Sequence, residues 1–284
     1  MSAINRARYH LILSVIAVAV SARPVPFEPS RGLVEIEVTV NGLVKGTFGI
    51  DTGADRLYID RQFAEENGLK LGPTSENSRV AGIEGSSEAA AVHLRSLRVS
   101  ERETLYNLTA TAVDMARLGG KPGGYRPDGL IGFDILRRFY VTVDYPGRTM
   151  ELISHEPDFI AGGDAAAVVP FRQDGHVILV DVVFDDTVKA PMIFDFCASH
   201  TTIEPPLAEM LGYAPDESRQ IMVGSIALGT DSGVASSDVQ VVVMDHSNLR
   251  QSVSDSEFYG LLGASFFYRW KITVDYRRRL IYIH

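Results

Sequence analysis

The sequence predicts an all-β chain folded as two pseudo-symmetric lobes, and three observations carry that reading. Short segments in which apolar and polar residues alternate recur along most of the chain, the pattern of half-buried strands. Turn signals such as Asn41-Gly42 separate them. An ordered series of these features also runs through the chain twice, the second copy displaced by 144 positions at its start and by 131 at its end. At 284 residues the chain is long enough to bury two cores, and 45% apolar with 22% charged residues is ordinary for a globular protein.

The N-terminus comes first and differs in kind. Arg6 and Arg8 precede the apolar run Leu11 to Val20, and Val20-Ser21-Ala22 offers small residues for cleavage after Ala22. Residues 1–22 therefore read as a signal peptide, and the expected location is exported, periplasmic or extracellular. No stable membrane association is expected once that segment is removed. Residues 23–31, rich in Pro and Arg, read as an extended lead-in.

A first lobe is expected over residues 32–158. Val34, Ile36, Val38 and Val40 alternate with polar residues, Asn41-Gly42 supplies a hairpin, and the chain returns through Phe48 and Ile50 to Asp51. Asp60 to Leu69 reads as a short helix capped by Asp60 and closed by Gly68, with Phe63 and Ala64 inward. Val80 to Gly85 suggests a glycine-tipped hairpin, and residues 92–99 and 108–113 alternate again. Gly119 to Gly124 is a loop but no phosphate cradle, because Pro122 follows Lys121 and no helix start follows the glycines. Gly129-Leu130-Ile131-Gly132 then leads to Thr142-Val143-Asp144-Tyr145.

Residues 159–170 are expected to be a linker, from the small Gly/Ala-rich run Ala161 to Ala167. Over 171–284 the plan repeats as a second lobe. Val177 to Phe184 alternates, Asp185-Asp186 takes the hairpin position, and Met192-Ile193-Phe194 climbs to Asp195. Pro205 opens a second helix, where proline is welcome. Gly260-Leu261-Leu262-Gly263 and Thr273-Val274-Asp275-Tyr276 close the copy.

Composition narrows the function. A net charge of −9 argues against a nucleic-acid surface, and Arg277-Arg278-Arg279 reads as a hairpin turn between two alternating segments. Cys197 is the sole cysteine, so no internal disulfide forms, and no Cys/His cluster has zinc spacing. No metal and no cofactor are expected. His200 lies close enough to Cys197 to suggest a thiol nucleophile, but a lone cysteine is more readily a small apolar residue.

The chemistry sits where each copy ends an apolar run in an aspartate. Two lobes packed about a pseudo-two-fold axis would bring Asp51 and Asp195 together, and like charges that close share one proton. One carboxyl group then activates a water while the other protonates a substrate carbonyl. With Phe48-Gly49-Ile50-Asp51-Thr52-Gly53-Ala54-Asp55 and the Leu130-Ile131-Gly132 and Leu261-Leu262-Gly263 triplets, the sequence resembles the aspartic proteases. The likeness is to a retropepsin-like lobe duplicated in one chain, in the bilobal pepsin-like manner. That resemblance implies two acid-protease-type β-barrel lobes with a cleft between them. It implies Asp51 and Asp195 as catalytic residues, with Thr52, Gly53, Phe196 and Cys197 supporting the two active-site turns. It further implies Asp55 as a contact to substrate backbone, and Gly82, Ile83 and Gly85 as a mobile hairpin over the cleft. The partner implied is a peptide or protein substrate, met by a monomer.

The second turn departs from the family pattern. It reads Asp195-Phe196-Cys197-Ala198-Ser199, whereas the family has Asp-Thr-Gly. Phe196 has no hydroxyl to match that of Thr52, so Thr52 is expected to lose its symmetric partner. Ala54 and Ala198 both lack a hydroxyl after the turn, from which a mildly acidic activity optimum is expected. Two alternatives stay open: a protease-fold protein that binds peptides without cutting them, and an enzyme active only as a dimer of first lobes with two copies of Asp51.

Overall fold

The computed structural model describes residues 24–27, 33–73, 79–82, 85–118, 126–154, 163–213, 220–230, 232–250, 253 and 257–284. The predicted signal segment, most of the lead-in and the Gly119–Gly124 loop lie outside them.

Alternation becomes a barrel in the first lobe. In strand Glu35–Val40 the residues Ile36, Val38 and Val40 are buried while Glu37 is exposed. Asn41 and Gly42 both take positive φ (52° and 75°), the twist that lets strand Val44–Ile50 fold straight back. Six strands then close a ring: Glu35–Val40, Val44–Ile50, Gly129–Ile131, Tyr58–Asp60, Thr104–Val113 and Ala90–Arg98, the last returning to the first through Val40 and Leu97. Helix Arg61–Glu66 leaves the ring with Asp60 as its cap, the side chain accepting from the Phe63 N–H, and Gly68 closes it at φ 66°. Phe63 and Ala64 are its buried residues.

The second lobe repeats that order. Val177–Phe184, Val188–Phe194, Gly260–Leu262, Thr201–Ile203, Ala235–Val243 and Gln220–Leu228 form a ring closed by Val182 against Leu228, with Arg172–Asp174 added outside. Asp185 and Asp186 take positive φ (46° and 57°) as the Asn41-Gly42 pair does. Individual pairings recur too. Ile50 lies beside Ile131 in a parallel pair, and Phe194 beside Leu262. The molecule is mostly β and holds two closed six-strand barrels, the acid-protease-type architecture expected from the sequence.

A third sheet joins them. Its order is Val25–Pro26, Thr149–Ser154, Phe139–Asp144, Lys271–Asp275, Leu280–Ile283 and Ala167–Pro170. At its centre Thr142 pairs with Thr273, the positions that the 131-residue offset equates, and their hydroxyls lie 2.9 Å apart. This sheet takes in two segments that the sequence reading had set outside the lobes. Part of the lead-in is an edge strand, and the predicted linker 159–170 already pairs as a strand from Ala167 to Pro170. Both strands are too short to show a period, and their prolines sit where an edge tolerates a missing N–H. One contiguous apolar core runs through both barrels, from Phe48 and Ile50 to Phe194, Phe196 and Phe267.

Candidate active site

Each aspartate is delivered by a strand end and held from beside it. The Asp51 N–H bonds to the Ile131 carbonyl, and the Asp195 N–H to the Leu262 carbonyl, both at 3.0 Å. The glycines that follow allow the supporting segment to press against the turn. A Cβ on Gly132 would stand 2.3 Å from the Arg56 carbonyl oxygen, and one on Gly263 2.4 Å from that of His200. Phe133 and Ala264 then donate their N–H groups to the Ala54 and Ala198 carbonyls at 2.9 and 2.8 Å.

The structure brings Asp51, Thr52, Gly53, Asp195, Phe196 and Cys197 together. Asp51 Oδ1 accepts from the N–H groups of Gly53 (2.8 Å) and Ala54 (2.9 Å). Asp195 Oδ1 accepts from the Cys197 N–H at 2.8 Å. Gly53 lies against both carboxylates: a Cβ there would stand 3.3 Å from Asp51 Oδ1 and 3.3 Å from Asp195 Oδ2. Those two oxygens are therefore no farther apart than twice that distance.

Thr52 does not lose its anchor, contrary to the expectation from Phe196. Its hydroxyl donates to the Phe194 carbonyl at 2.9 Å and accepts from the Phe196 N–H at 3.1 Å. Both partners are main-chain atoms, so the identity of residue 196 does not matter to them. The Phe196 ring packs instead, edge-on to Phe194 (5.0 Å between centroids) and Phe267 (5.6 Å). His200 bonds through Nδ1 to the Ser199 hydroxyl at 3.0 Å.

Electrostatics mark the pair. Burial pushes the Asp51 carboxyl up to about 6 against the main-chain donors of Gly53 and Ala54, which pull it down. Burial and then the charge of Asp51 push Asp195 up further, to about 8. Only one donor works against that rise. These values belong to a pair that titrates together, and the direction is that the site retains a proton near neutral pH.

Five residues near the site were not assigned to it by sequence reasoning. Tyr145 and Tyr276, the last residues of the two Thr-Val-Asp-Tyr segments, are buried with no hydrogen-bond partner for either hydroxyl among the described residues. Burial raises both phenols, and the dyad adds to it: Asp195 for Tyr145, both aspartates for Tyr276. The repetition of those segments was the available signal. Arg56 and Tyr58 hold Asp55, whose Oδ2 accepts from Arg56 Nε at 2.8 Å and whose Oδ1 accepts from the Tyr58 hydroxyl at 2.5 Å. Burial raises the Asp55 carboxyl, but these bonds outweigh it and the net shift is downward. Burial lowers the pKa of His176 of the second lobe, against the charge of Asp55 and the Gly53 main chain, which act to raise it.

Gly82 and Gly85 lie at the neck of a hairpin, Arg79–Ala81 with Ser86–Glu88, where the Gly82 N–H bonds to the Gly85 carbonyl at 2.7 Å. That neck rests on the first lobe, since a Cβ on Gly82 would stand 2.2 Å from the Leu118 carbonyl oxygen and one on Gly85 2.7 Å from that of Arg117. Ile83 lies outside the described residues. Among the described residues no group of three or more His, Cys, Asp or Glu is placed to hold a metal ion, and no helix is long and apolar enough to cross a membrane.

A comparison with curated proteins finds no match. Residues 36–135, which run from the first barrel's opening strand through Asp51 to the helix after Gly129-Leu130-Ile131-Gly132, match the family model described as aspartyl protease, and this likeness with the two barrels supports an acid-protease-like fold.

Proposed function

We propose that the chain is an aspartic endopeptidase that hydrolyses peptide bonds with Asp51, Asp195 and one activated water. The observation that carries the proposal is the shared position of the two carboxylates about Gly53, with burial and mutual repulsion leaving one proton between them. The ionised member takes a proton from water as the water oxygen attacks the scissile carbonyl carbon. The protonated member gives its proton to the carbonyl oxygen. When the tetrahedral intermediate breaks its C–N bond, the carboxyl that took the water's proton gives it to the departing amine. A hydroxyl of the intermediate gives its proton to the other carboxylate, so the pair is again singly protonated.

This pairing within one chain supports the monomeric site over a dimer of first lobes. The raised pKa values move the expected optimum from mildly acidic to near neutral, because the singly protonated form persists between about 6 and about 8. The intact hydrogen bonds of Thr52 support a competent second turn. The reading as a peptide binder without catalysis rests on Phe196 and Cys197. Export through the N-terminal segment is part of the same proposal, tested by sequencing the N-terminus of the secreted protein.

The test is cleavage of quenched-fluorescent casein from pH 3 to 9, with and without pepstatin, for the wild type, Asp51→Asn and Asp195→Asn. Pepstatin-sensitive cleavage lost in both variants is expected. Folded protein without cleavage at any pH would leave the peptide binder. Cleavage that survives Asp195→Asn and falls on dilution would return the site to a dimer.

A further inference from the structure

Gly53 shows what a side chain at the third position of an active-site turn meets. A Cβ placed there would touch the carboxylate of the opposite lobe, 3.3 Å from Asp195 Oδ2. The second turn carries a real side chain at the equivalent position, Cys197, half-buried and free of any disulfide. By that equivalence its side chain stands beside the Asp51 carboxylate, whose pKa it acts to lower, and its sulfur lies 3.5 Å from where a Cβ on Gly49 would stand. The main-chain N–H of Cys197 holds Asp195 Oδ1 at 2.8 Å.

The donors are unequal across the dyad. Asp51 receives two N–H groups, whereas Asp195 receives the Cys197 N–H. The equivalent of the Ala54 bond is missing from Asp195's side chain, because the Ala198 N–H turns to the Asp195 main-chain carbonyl at 3.3 Å. Donors to a carboxylate favour its ionised form. We infer that Cys197 is a positioning residue that bridges the two aspartates and biases the shared proton toward Asp195, leaving Asp51 as the carboxylate that activates water. This rests on the proposed peptidase reading and deepens it. The order of the two upward shifts, larger for Asp195, agrees with it.

The assignment makes Cys197→Ala and Cys197→Ser informative. Both keep the N–H that holds Asp195, and only serine keeps a donor for Asp51. With a quenched-fluorescent peptide taken from the casein digest, Cys197→Ala is expected to move the acidic limb of kcat/KM upward by about half a pH unit, a threefold loss on that limb. Cys197→Ser is expected to restore it. A Cys197→Ala profile that superimposes on the wild type would overturn the inference.

A second arm needs no peptidase activity, so it stands if the proposed function fails. Because Cys197 is the sole cysteine, its alkylation by iodoacetamide is read without interference. Burial and then Asp51 hold its thiol above the ordinary value. Asp51→Asn is expected to speed alkylation at pH 8 severalfold in protein whose circular dichroism is unchanged. An unchanged rate would sever the link between thiol and carboxylate. Asp55→Asn serves as the control for a charge change elsewhere in the first turn, and an equal acceleration there would also overturn the inference.

Discussion

The two aspartate turns reach the same place by different physical means. In the first, hydrogen bonds do the locking: Asp51 is cradled by two N–H groups, and the Thr52 hydroxyl is inserted between two main-chain atoms of the other lobe. In the second, packing does it. Phe196 is fully buried among Phe194, Phe267 and Tyr145, and the carboxylate of Asp195 keeps one N–H donor. What the turns share is the strand that ends at the aspartate and the Gly-apolar-apolar-Gly segment beside it. The difference teaches that this scaffold fixes where a carboxylate goes and buries it, while the donors after the aspartate set how far its raised proton affinity is pulled back. One hydroxyl suffices to tie the turns because it both donates and accepts.

The sharpest way to break the comparison is to remove either carboxylic acid. Asp51→Asn and Asp195→Asn are each expected to lower kcat/KM by about a thousandfold or more, since each leaves half of an acid–base pair. Stability should move the other way. A carboxyl whose pKa is raised on folding is fully stabilising below the ordinary carboxylate range and loses that contribution as pH rises through its folded value. The asparagine variants should therefore melt higher than the wild type at pH 8 and about equally at pH 3.5, with the larger gain for Asp195→Asn. Equal melting temperatures at pH 8 would mean that the second carboxylate is not held against ionisation.

The next largest effect tests packing in the second turn. Phe196→Ala opens a cavity among aromatic rings and is expected to destabilise by about 3–5 kcal/mol, read from urea unfolding. Phe196→Thr should not recover that loss, although it restores the residue type of the first turn, because the surroundings are built for a ring. A Phe196→Thr variant as stable as the wild type would show that the second turn is held by its main chain alone.

How much of this could be read from the sequence divides along the same line. Local devices were legible: the Asn41-Gly42 turn, the Asp60 cap, and Gly68 closing its helix at positive φ. Repetition carried the reading beyond them, placing Asp51 with Asp195 and equating the segments of Thr142 and Thr273, which the structure pairs. What was lost is what side chains do not encode. The partners of Thr52 are the carbonyl of Phe194 and the N–H of Phe196, groups every residue but proline offers, so Phe196 looked like a broken contact when only its side chain had changed. The central sheet was hidden because its edges are too short for periodicity, and the ring around Asp55 because His176 arrives from the other lobe.

A third prediction compares the buried acids of the two lobes. Asp60 caps a helix and accepts from Phe63 and Met115 main-chain N–H groups. Its counterpart Glu204 instead bonds to Arg250, and His246 lies beside it with Nδ1 3.8 Å from Glu204 Oε1 and Nε2 bonded to the Thr202 hydroxyl at 2.8 Å. Burial lowers the His246 pKa to about 4, with Asp245 opposing and Arg250 assisting. A histidine held neutral contributes stability that is full above its unfolded pKa and falls as pH drops toward the folded value, so the loss runs from about 6.5 to about 4. The expected decline is about 3 kcal/mol across that window. His246→Gln should flatten it in urea titrations, and an unchanged slope would place the acid lability elsewhere.

The smallest expected effect sharpens the contrast most. Thr52→Val keeps the shape of the side chain and removes its hydroxyl, leaving the Phe196 N–H and the Phe194 carbonyl buried without that partner. The expected destabilisation is about 1–3 kcal/mol, the range for orphaning buried polar groups. If bonds from Thr52 and packing by Phe196 act on one joint between the turns, Thr52→Val and Phe196→Ala should be non-additive, the double variant losing less than the sum. Strict additivity would mean that the hydroxyl and the ring hold their turns independently. The two mechanisms would then be parallel supports that happen to meet at the dyad, and the proton distribution between Asp51 and Asp195 should be insensitive to Thr52. An acidic limb of kcat/KM that stays fixed in Thr52→Val is the result that view requires, whereas a coupled joint should shift it.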